Sequence, residues 1–230
     1  MRFRTARVSR TRHEGTKQAD KILRAARSLF IRQGPGGFSA RQVAKEAGLS
    51  LGSVQHVFPT IDSLLVAMLE YVISRYDAEY ESMVRELPFN PTARLSAILD
   101  FLIDDIFEQD TRRFFYGFWV LSCHNPLAGV LLKEAYSHHV KNLAPFIAAV
   151  RPDCAETTCL SIARQVAALI EGWMVFTATG LGAAGKTALR ETLRNGVDTL
   201  VRESRGTAPT AKVKPERGRR SGPTSVRAPP

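Results

Sequence analysis

Apolar residues recur every three or four positions along most of the chain, and this period predicts helices. Strand-like alternation of apolar and polar residues is absent, so we predict an all-α fold. The first helix covers residues 17–33, and two short helices follow at residues 39–47 and 51–57. Six longer helices are predicted at residues 61–87, 91–108, 112–124, 126–150, 154–180 and 186–202.

The segment FSARQVAKEAGLSLGSVQHVFPT, residues 38–60, predicts two short helices joined by a tight turn. Ser39 begins the first of them, and Gln42 three positions later completes the pattern of a capping box. Ala44 is small enough for the second helix to cross close above it, and Gly48 can adopt the left-handed conformation of the turn. This order is the helix-turn-helix arrangement, whose second helix lies in the DNA major groove.

The second short helix lacks the leucines that a core helix usually carries. Val54 and Val57 face inward, whereas the outward side chains are short or polar and can hydrogen-bond base edges and phosphates. A plain helical hairpin is the alternative, but it would need neither this polar set nor the basic residues around it. We therefore predict a DNA-reading surface formed by Lys17, Ser39, Arg41, Gln42, Leu51, Gly52, Ser53, Gln55 and His56.

Charge is distributed unevenly along the chain, which carries a net charge of +10. Basic residues outnumber acidic ones in residues 1–60 and 204–230, and the reverse holds in between. A basic first quarter suits contact with a polyanion. The alternative, that basic ends are only solvated tails, explains the termini but not residues 19–60. The Pro-, Gly- and Arg-rich tail at 204–230 predicts disorder, either inert or adding non-specific attraction to DNA.

Residues 21–65 resemble the N-terminal domain of TetR-type transcriptional regulators. The stretches ILRAARSLFIRQG, FSARQVAKEAGLSLGSVQHVFPT and IDSLL stand in register with the pattern of that family. The resemblance implies a homodimer with two DNA-binding heads, an interface formed by the last two main helices, and a ligand cavity in the C-terminal part. We accordingly predict a basic arm (1–16), a helix-turn-helix domain (17–60), an effector-binding and dimerisation domain (61–203) and a tail (204–230).

The same resemblance assigns phosphate contact to Ser39 and a DNA-facing position to Arg41. Two positions depart from the family pattern: Gln55 stands where a Tyr usually contacts the backbone, and Ile61 where a Lys is common. Both changes reduce phosphate contacts. We expect the basic arm, with Arg12, Lys17 and Arg41, to compensate for them.

Residues 114–180 resemble the C-terminal domain of a subgroup that includes choline-responsive regulators of betaine synthesis. The shared feature is an aromatic-rich helix before an Asn-Pro break. Aromatic rings near a carboxylate, here Asp105 or Glu171, attract a cation, so we predict a small-molecule effector pocket. Its candidates are Asp105, Phe115, Trp119, Ser122, Leu169, Trp173 and Phe176. The alternative for each aromatic residue is an ordinary place in the core.

The helix at residues 154–180 has two apolar faces, one for its own core and one for a partner. We therefore predict that it forms the interface of a homodimer together with the helix at 186–202. Its part from 166 to 185 is long enough to span a membrane but contains Glu171 and several glycines. A buried interface helix is therefore predicted instead of a membrane span.

Other function classes find little support in the sequence. Three cysteines without C-x-x-C spacing indicate neither disulfides nor a zinc site, which fits the reducing cytoplasm. His138 and His139 are adjacent on a helix and diverge by about 100°, and no carboxylate follows His124, His138 or His139 at three or four positions to complete a catalytic or metal site. We therefore predict no enzyme activity, metal or cofactor. The remaining alternative is a DNA-binding protein without a small-molecule effector.

Overall fold

The structure is a computed structural model that describes residues 14–87, 89–179 and 186–203. Within these ranges the chain forms helices and no strand, so the all-α prediction is confirmed. Arg12, most of the predicted arm and the predicted tail lie outside the described residues. The helices are α1 (Glu14–Gln33), α2 (Ala40–Ala47), α3 (Leu51–Val57), α4 (Ile61–Glu86), α5 (Pro91–Asp105), α6 (Gln109–His124), α7 (Pro126–Val150), α8 (Glu156–Ala178) and α9 (Lys186–Glu203).

Side-chain caps fix the starts of the short helices. Ser39 Oγ accepts a hydrogen bond from the Gln42 backbone N–H at 3.3 Å, and Ser50 Oγ accepts one from the Ser53 N–H at 3.0 Å. The predicted capping box at Ser39 is only half formed, because the bond found there runs in one direction. The reciprocal pair occurs at the start of α4 instead, between Thr60 and Ser63.

The core divides into two clusters of buried side chains. The lower core joins α1, α2 and α3, which we call the head, to the first half of α4 and to parts of α6 and α7. The upper core joins the second half of α4 to α5, α7, α8 and α9. We call α4 to α9 the body. Because α4 runs through both cores, it links the surface of the head to the interior of the body.

Aromatic packing joins the head to α6. Phe30 of α1 is fully buried, and its ring centroid lies 5.5 Å from that of Phe114 and 5.7 Å from that of Phe118. Gly117 lies between these two residues, and a Cβ atom there would come within 2.9 Å of the Phe30 ring. The missing side chain therefore permits the close approach of α6 to α1.

Long helices α7 and α8 form the centre of the body. Helix α7 is assigned as one helix from Pro126 to Val150, with Pro145 inside it. Among the described residues, α8 is a single helix long and apolar enough to cross a membrane by composition. Its residues Ile162, Ala163 and Val166 are fully buried in the upper core, as in the core helix of a globular domain.

Candidate DNA-reading surface and effector cavity

Helix α3 has one buried and one exposed side. Val54 is fully buried in the lower core and Val57 is half-buried, as the spacing predicted. Gly52, Gln55 and His56 are exposed, and Leu51 and Ser53 are half-buried. The hydroxyls of Ser50 and Ser53 lie 2.8 Å apart and hydrogen-bond to each other. The exposed side of α3 therefore offers an amide, an imidazole and the hydroxyl of Ser53, all able to donate and to accept hydrogen bonds.

Helix α2 packs against α3 through buried Val43 and Ala44. The predicted candidates Arg41 and Gln42 are exposed in its first turn, beside half-buried Ser39. Gly48 closes the helix in the left-handed conformation with φ 60°, as predicted.

Helix α1 supports this pair of helices with an ion pair. Arg32 Nη2 lies 2.7 Å from Glu46 Oε2, so the α1 arginine is engaged within the head. Hydrogen bonding to Arg32 lowers the pKa of Glu46, which stays ionised. Lys17 is exposed near the start of α1.

A cavity of about 70 Å³ lies in the body, among α4, α5, α6, α7 and α8. Two of the predicted pocket residues line it, Asp105 at the end of α5 and Phe115 of α6. Tyr76, Tyr136 and Glu171 line it as well, from α4, α7 and α8 respectively. Asp77 of α4 lines it too, so the cavity holds three carboxylates and several aromatic rings in a small space.

Hydroxyl donors satisfy Asp105. Its carboxylate accepts hydrogen bonds from the Tyr76 hydroxyl at 2.5 Å and from the Thr111 hydroxyl at 2.9 Å. Burial raises the pKa of Asp105, and the two hydroxyl donors oppose that rise. A half-buried carboxyl group with two hydroxyl donors is thus held at the cavity wall.

Glu171 is less well satisfied than Asp105. One side-chain hydrogen bond joins it to Tyr136, but its Oε2 atom is inaccessible to solvent and has no hydrogen-bond partner among the described residues. Burial, assisted by the nearby charge of Asp105, raises the pKa of Glu171 to about 7. An unpartnered buried carboxylate oxygen is costly unless a ligand or a proton satisfies it.

Neither Lys nor Arg is among the described residues that line the cavity, whose basic lining residues are His138 and His139. His138 contacts the carboxylate of Asp77. Burial lowers the pKa of the His139 imidazole to about 4, so that ring is neutral at pH 7. The cavity is therefore suited to a cationic guest, whose charge the carboxylates and aromatic faces would stabilise.

Five predicted pocket residues lie elsewhere. Trp119 stands behind the cavity and donates a hydrogen bond to the Tyr136 hydroxyl at 2.8 Å. Ser122 bonds within its own helix, to the carbonyl of Trp119. Leu169, Trp173 and Phe176 do not line the cavity, because the stripe of α8 that does so contains Ala167, Ile170, Glu171 and Met174. That stripe lies about 100° around α8 from the stripe formed by Leu169, Trp173 and Phe176.

The residues that the sequence reasoning missed come mainly from α4 and α7. Tyr76 of α4 was not predicted to line a pocket. Nor were Tyr136 and His139 of α7. Their spacing of three positions on a mostly apolar helix was the available signal. His138 was set aside because no carboxylate follows it at three or four positions on its own helix, yet Asp77 of α4 contacts its Nε2 at 2.8 Å.

The two short helices, one side packed on the head and the other exposed and polar, define a helix-turn-helix DNA-binding protein. Residues 22–68 match the family model "Bacterial regulatory proteins, tetR family", and residues 91–202 match "BetI-type transcriptional repressor, C-terminal". An HTH-type transcriptional regulator in the dhlA 5′ region of Xanthobacter autotrophicus is 30% identical over 192 residues, which cover 80% of this chain and 91% of the relative. The chain belongs to the TetR family of transcriptional regulators, and like its relatives it is a DNA-binding regulator and not an enzyme.

Further similar proteins support the same family. BetI of Pectobacterium atrosepticum is 31% identical over 136 residues, 58% of this chain and 68% of its own length. Among solved structures, a transcriptional regulator from Pseudomonas aeruginosa PAO1 superposes with a TM-score of 0.69 at 18% identity, covering 86% and 96% of the two chains. A regulator from Saccharomonospora viridis in complex with choline superposes with a TM-score of 0.65 at 18% identity, covering 80% of this chain and 96% of that chain. These structures share the fold.

Proposed function

We propose that this protein is a homodimeric repressor that leaves its operator when a small organic cation occupies the cavity between Asp105 and Glu171. The observation that carries the effector part is the unpartnered, buried Glu171 oxygen in a cavity without a lining Lys or Arg among the described residues. Aromatic faces from Tyr76 and Phe115 would add cation–π attraction. The choline complex of the similar Saccharomonospora viridis regulator supports a cation of this kind.

The proposed DNA contacts follow from exposure and chemistry. Gln55 and His56 point away from the lower core on α3 and would read base edges in the major groove. Ser39, Arg41 and Gln42 lie at the start of α2 and would bind phosphates, which position the protein without reading sequence. Lys17 would add a further phosphate contact at the start of α1.

Exposed apolar side chains on α8 support a dimer. Val175 and Phe176 are 47% and 49% exposed, although they belong to a helix whose other side is fully buried. Pairing with the same surface of a second copy, together with α9, would cover them. Two heads would then reach successive major grooves of a pseudo-palindromic site, about 34 Å apart. We place this activity in the cytoplasm, where the DNA is.

The test begins with selection of bound fragments from a random DNA library, followed by light scattering to obtain the mass of the free protein. Choline is then titrated into the protein bound to a labelled, selected fragment. We expect an inverted repeat, a dimer, and release of DNA by choline. In Asp105→Asn the DNA affinity should be unchanged and the response to choline lost, whereas Asp110→Asn, an exposed aspartate on α6, should behave as the parent protein.

Two results would contradict the proposal. Salt-dependent binding without a sequence motif would indicate a DNA-binding protein of the architectural kind, without an effector. A monomer by light scattering would remove the two-headed arrangement on which the inverted repeat depends.

A further inference from the structure

A groove of about 940 Å³ lies between α4 and α7, on the outer side of the cavity. It shares one wall with the cavity, because six residues line both spaces: Ile73, Asp77, Tyr80, Ala135, His138 and Asn142. Hydrogen bonds close this wall. Asp77 accepts from Asn142 Nδ2 at 2.7 Å and lies 2.8 Å from His138 Nε2. The small cavity therefore adjoins a much larger space that is open to solvent.

Helices α4 and α7 run in the same direction along the groove. Asp77 contacts His138 and Asn142, and further along both helices Tyr80 contacts Phe146, with ring centroids 6.2 Å apart. Glu70 precedes Asp77 by seven positions, so it lies on the order of 10 Å from the wall along α4, on the side of the head. Glu134 takes the corresponding place on α7.

Glu70 and Glu134 form a second pair of carboxylates at this end of the groove. Partial burial and the charge of Glu134 raise the pKa of Glu70, so the two groups interact. Neither has an ion pair among the described residues. The basic groups that line the groove, Arg85 and Lys141, are placed further along the two helices, towards the opposite end.

Apolar side chains of the shared wall lie between the two carboxylate pairs. Ile73 follows Glu70 on α4 and Ala135 follows Glu134 on α7, while Leu69 and Leu131 line the groove on the head side of the two glutamates. The order from the inside outward is thus an anionic cavity, an apolar stretch of the shared wall and an anionic end beside the head. A ligand complementary to this order has two positive charges joined by an apolar spacer.

We propose that the effector is an elongated organic dication, with one cationic group between Asp105 and Glu171 and the other between Glu70 and Glu134. This inference rests on the proposed function, since it uses the same inner cavity. The spacer passes the wall at Asp77, whose contacts with His138 and Asn142 part to admit it. A bound dication therefore spreads α4 from α7 close to the head.

The experiment compares two amines of equal chain length by calorimetric titration into the intact protein. Octylamine carries one positive charge, and octamethylenediamine carries a second at the far end. We expect the diamine to bind about tenfold more tightly. Glu70→Gln and Glu134→Gln should each reduce that ratio severalfold without changing octylamine affinity. Glu156→Gln, an exposed glutamate in the first turn of α8, serves as the matched control and should leave the ratio unchanged.

The outcomes separate this inference from the proposed function. Equal affinity for the two amines, or a diamine advantage that survives both glutamine variants, would overturn the dication. If octylamine and choline both fail to bind, the cationic effector itself is wrong and the dication fails with it. Asp105→Asn provides a further check, because it should weaken both amines alike.

Discussion

The head and the body place their polar groups in opposite ways. In the head the buried side chains are apolar, and the groups that can bind a ligand are exposed on α2 and α3. In the body, Asp105, Tyr136, His139 and Glu171 line an internal cavity. The head therefore binds its ligand on a surface that folding leaves in water. The body has to remove carboxylates from water before it can bind anything.

This difference has an energetic consequence. The exposed polar groups of the head cost little in folding, and its stability comes from apolar packing around Phe30. The half-buried carboxylates of the body lower its stability in the absence of a ligand, and a cation that satisfies them recovers part of that free energy as affinity. The predictions below test this contrast, from the largest expected effect to the smallest.

Phe30→Ala should have the largest effect on folding. The ring is fully buried and contacts Phe38, Phe114 and Phe118, so its removal leaves a cavity where the head meets α6. We expect a loss of about 3–5 kcal/mol in the free energy of unfolding, measured by urea denaturation. Phe89→Ala is the control, because Phe89 is 88% exposed and its loss should cost less than about 0.5 kcal/mol. Equal losses of stability in the two variants would show that Phe30 does not stabilise the contact between the head and α6.

Glu171→Gln should stabilise the protein above neutral pH. The pKa of Glu171 is raised from 4.5 to about 7 in the folded protein, so the unfolded chain loses this proton more readily. The free energy of unfolding of the parent should therefore fall by on the order of 3 kcal/mol between about pH 4.5 and 7. Above pH 7 this contribution should stay constant. Glutamine cannot ionise, and its variant should lack this fall.

Thermal unfolding at a series of pH values measures the difference, with Glu156→Gln as the control that keeps the parental pH profile. Cation binding gives the complementary measurement. A cation prefers ionised Glu171, so affinity for octylamine should rise as pH increases through about 7. A parent and a Glu171→Gln variant with the same pH profile would contradict a buried, protonated Glu171.

The sequence predicted the head more completely than the body, for physical reasons. The cap at Ser39, the left-handed Gly48 and the buried Val54 depend on contacts within a few residues, which spacing encodes directly. The cavity depends on which faces of α4, α7 and α8 meet. Glu171 and Asp105 were identified as possible cation attractors, but Trp173 and Phe176 were placed in the pocket because they share a helical stripe. The stripe that faces the cavity is the neighbouring one.

Long-range pairing also explains the missed groove. Asp77 contacts His138, and Glu70 lies near Glu134, only because α4 and α7 pack side by side in the same direction. Nothing in the local spacing of either helix fixes that register. By contrast, the half-formed capping box at Ser39 was a local prediction that required a side-chain orientation of Gln42, which the backbone pattern does not determine.

Gln55→Ala and Arg41→Ala should separate base reading from phosphate binding within the head. We expect Gln55→Ala to relax preference at particular base pairs, by about 1–3 kcal/mol each, because an amide reads base edges. Arg41→Ala should weaken binding to all sequences alike and lower the salt slope of the affinity by about one. Binding measured against a library of single-base operator changes, at two salt concentrations, distinguishes the two patterns. The reverse assignment of patterns would exchange the proposed roles.

The smallest effect compares two glycines of the head that stand four residues apart. Gly48 has φ 60°, a backbone conformation in which a Cβ atom is strained. Gly52 lies within α3, and a Cβ atom added there would lie 3.8 Å from its nearest neighbour, Ser50 Oγ. Gly48→Ala should therefore destabilise the head by about 1 kcal/mol. Gly52→Ala should stabilise it by a similar amount or less, because alanine favours the helix. Urea denaturation of the free protein measures both without reference to DNA. Opposite signs would confirm that the turn, and not the glycine content of the segment, fixes the angle between α2 and α3; a loss in both variants would show that α3 tolerates no added side chain on its exposed surface.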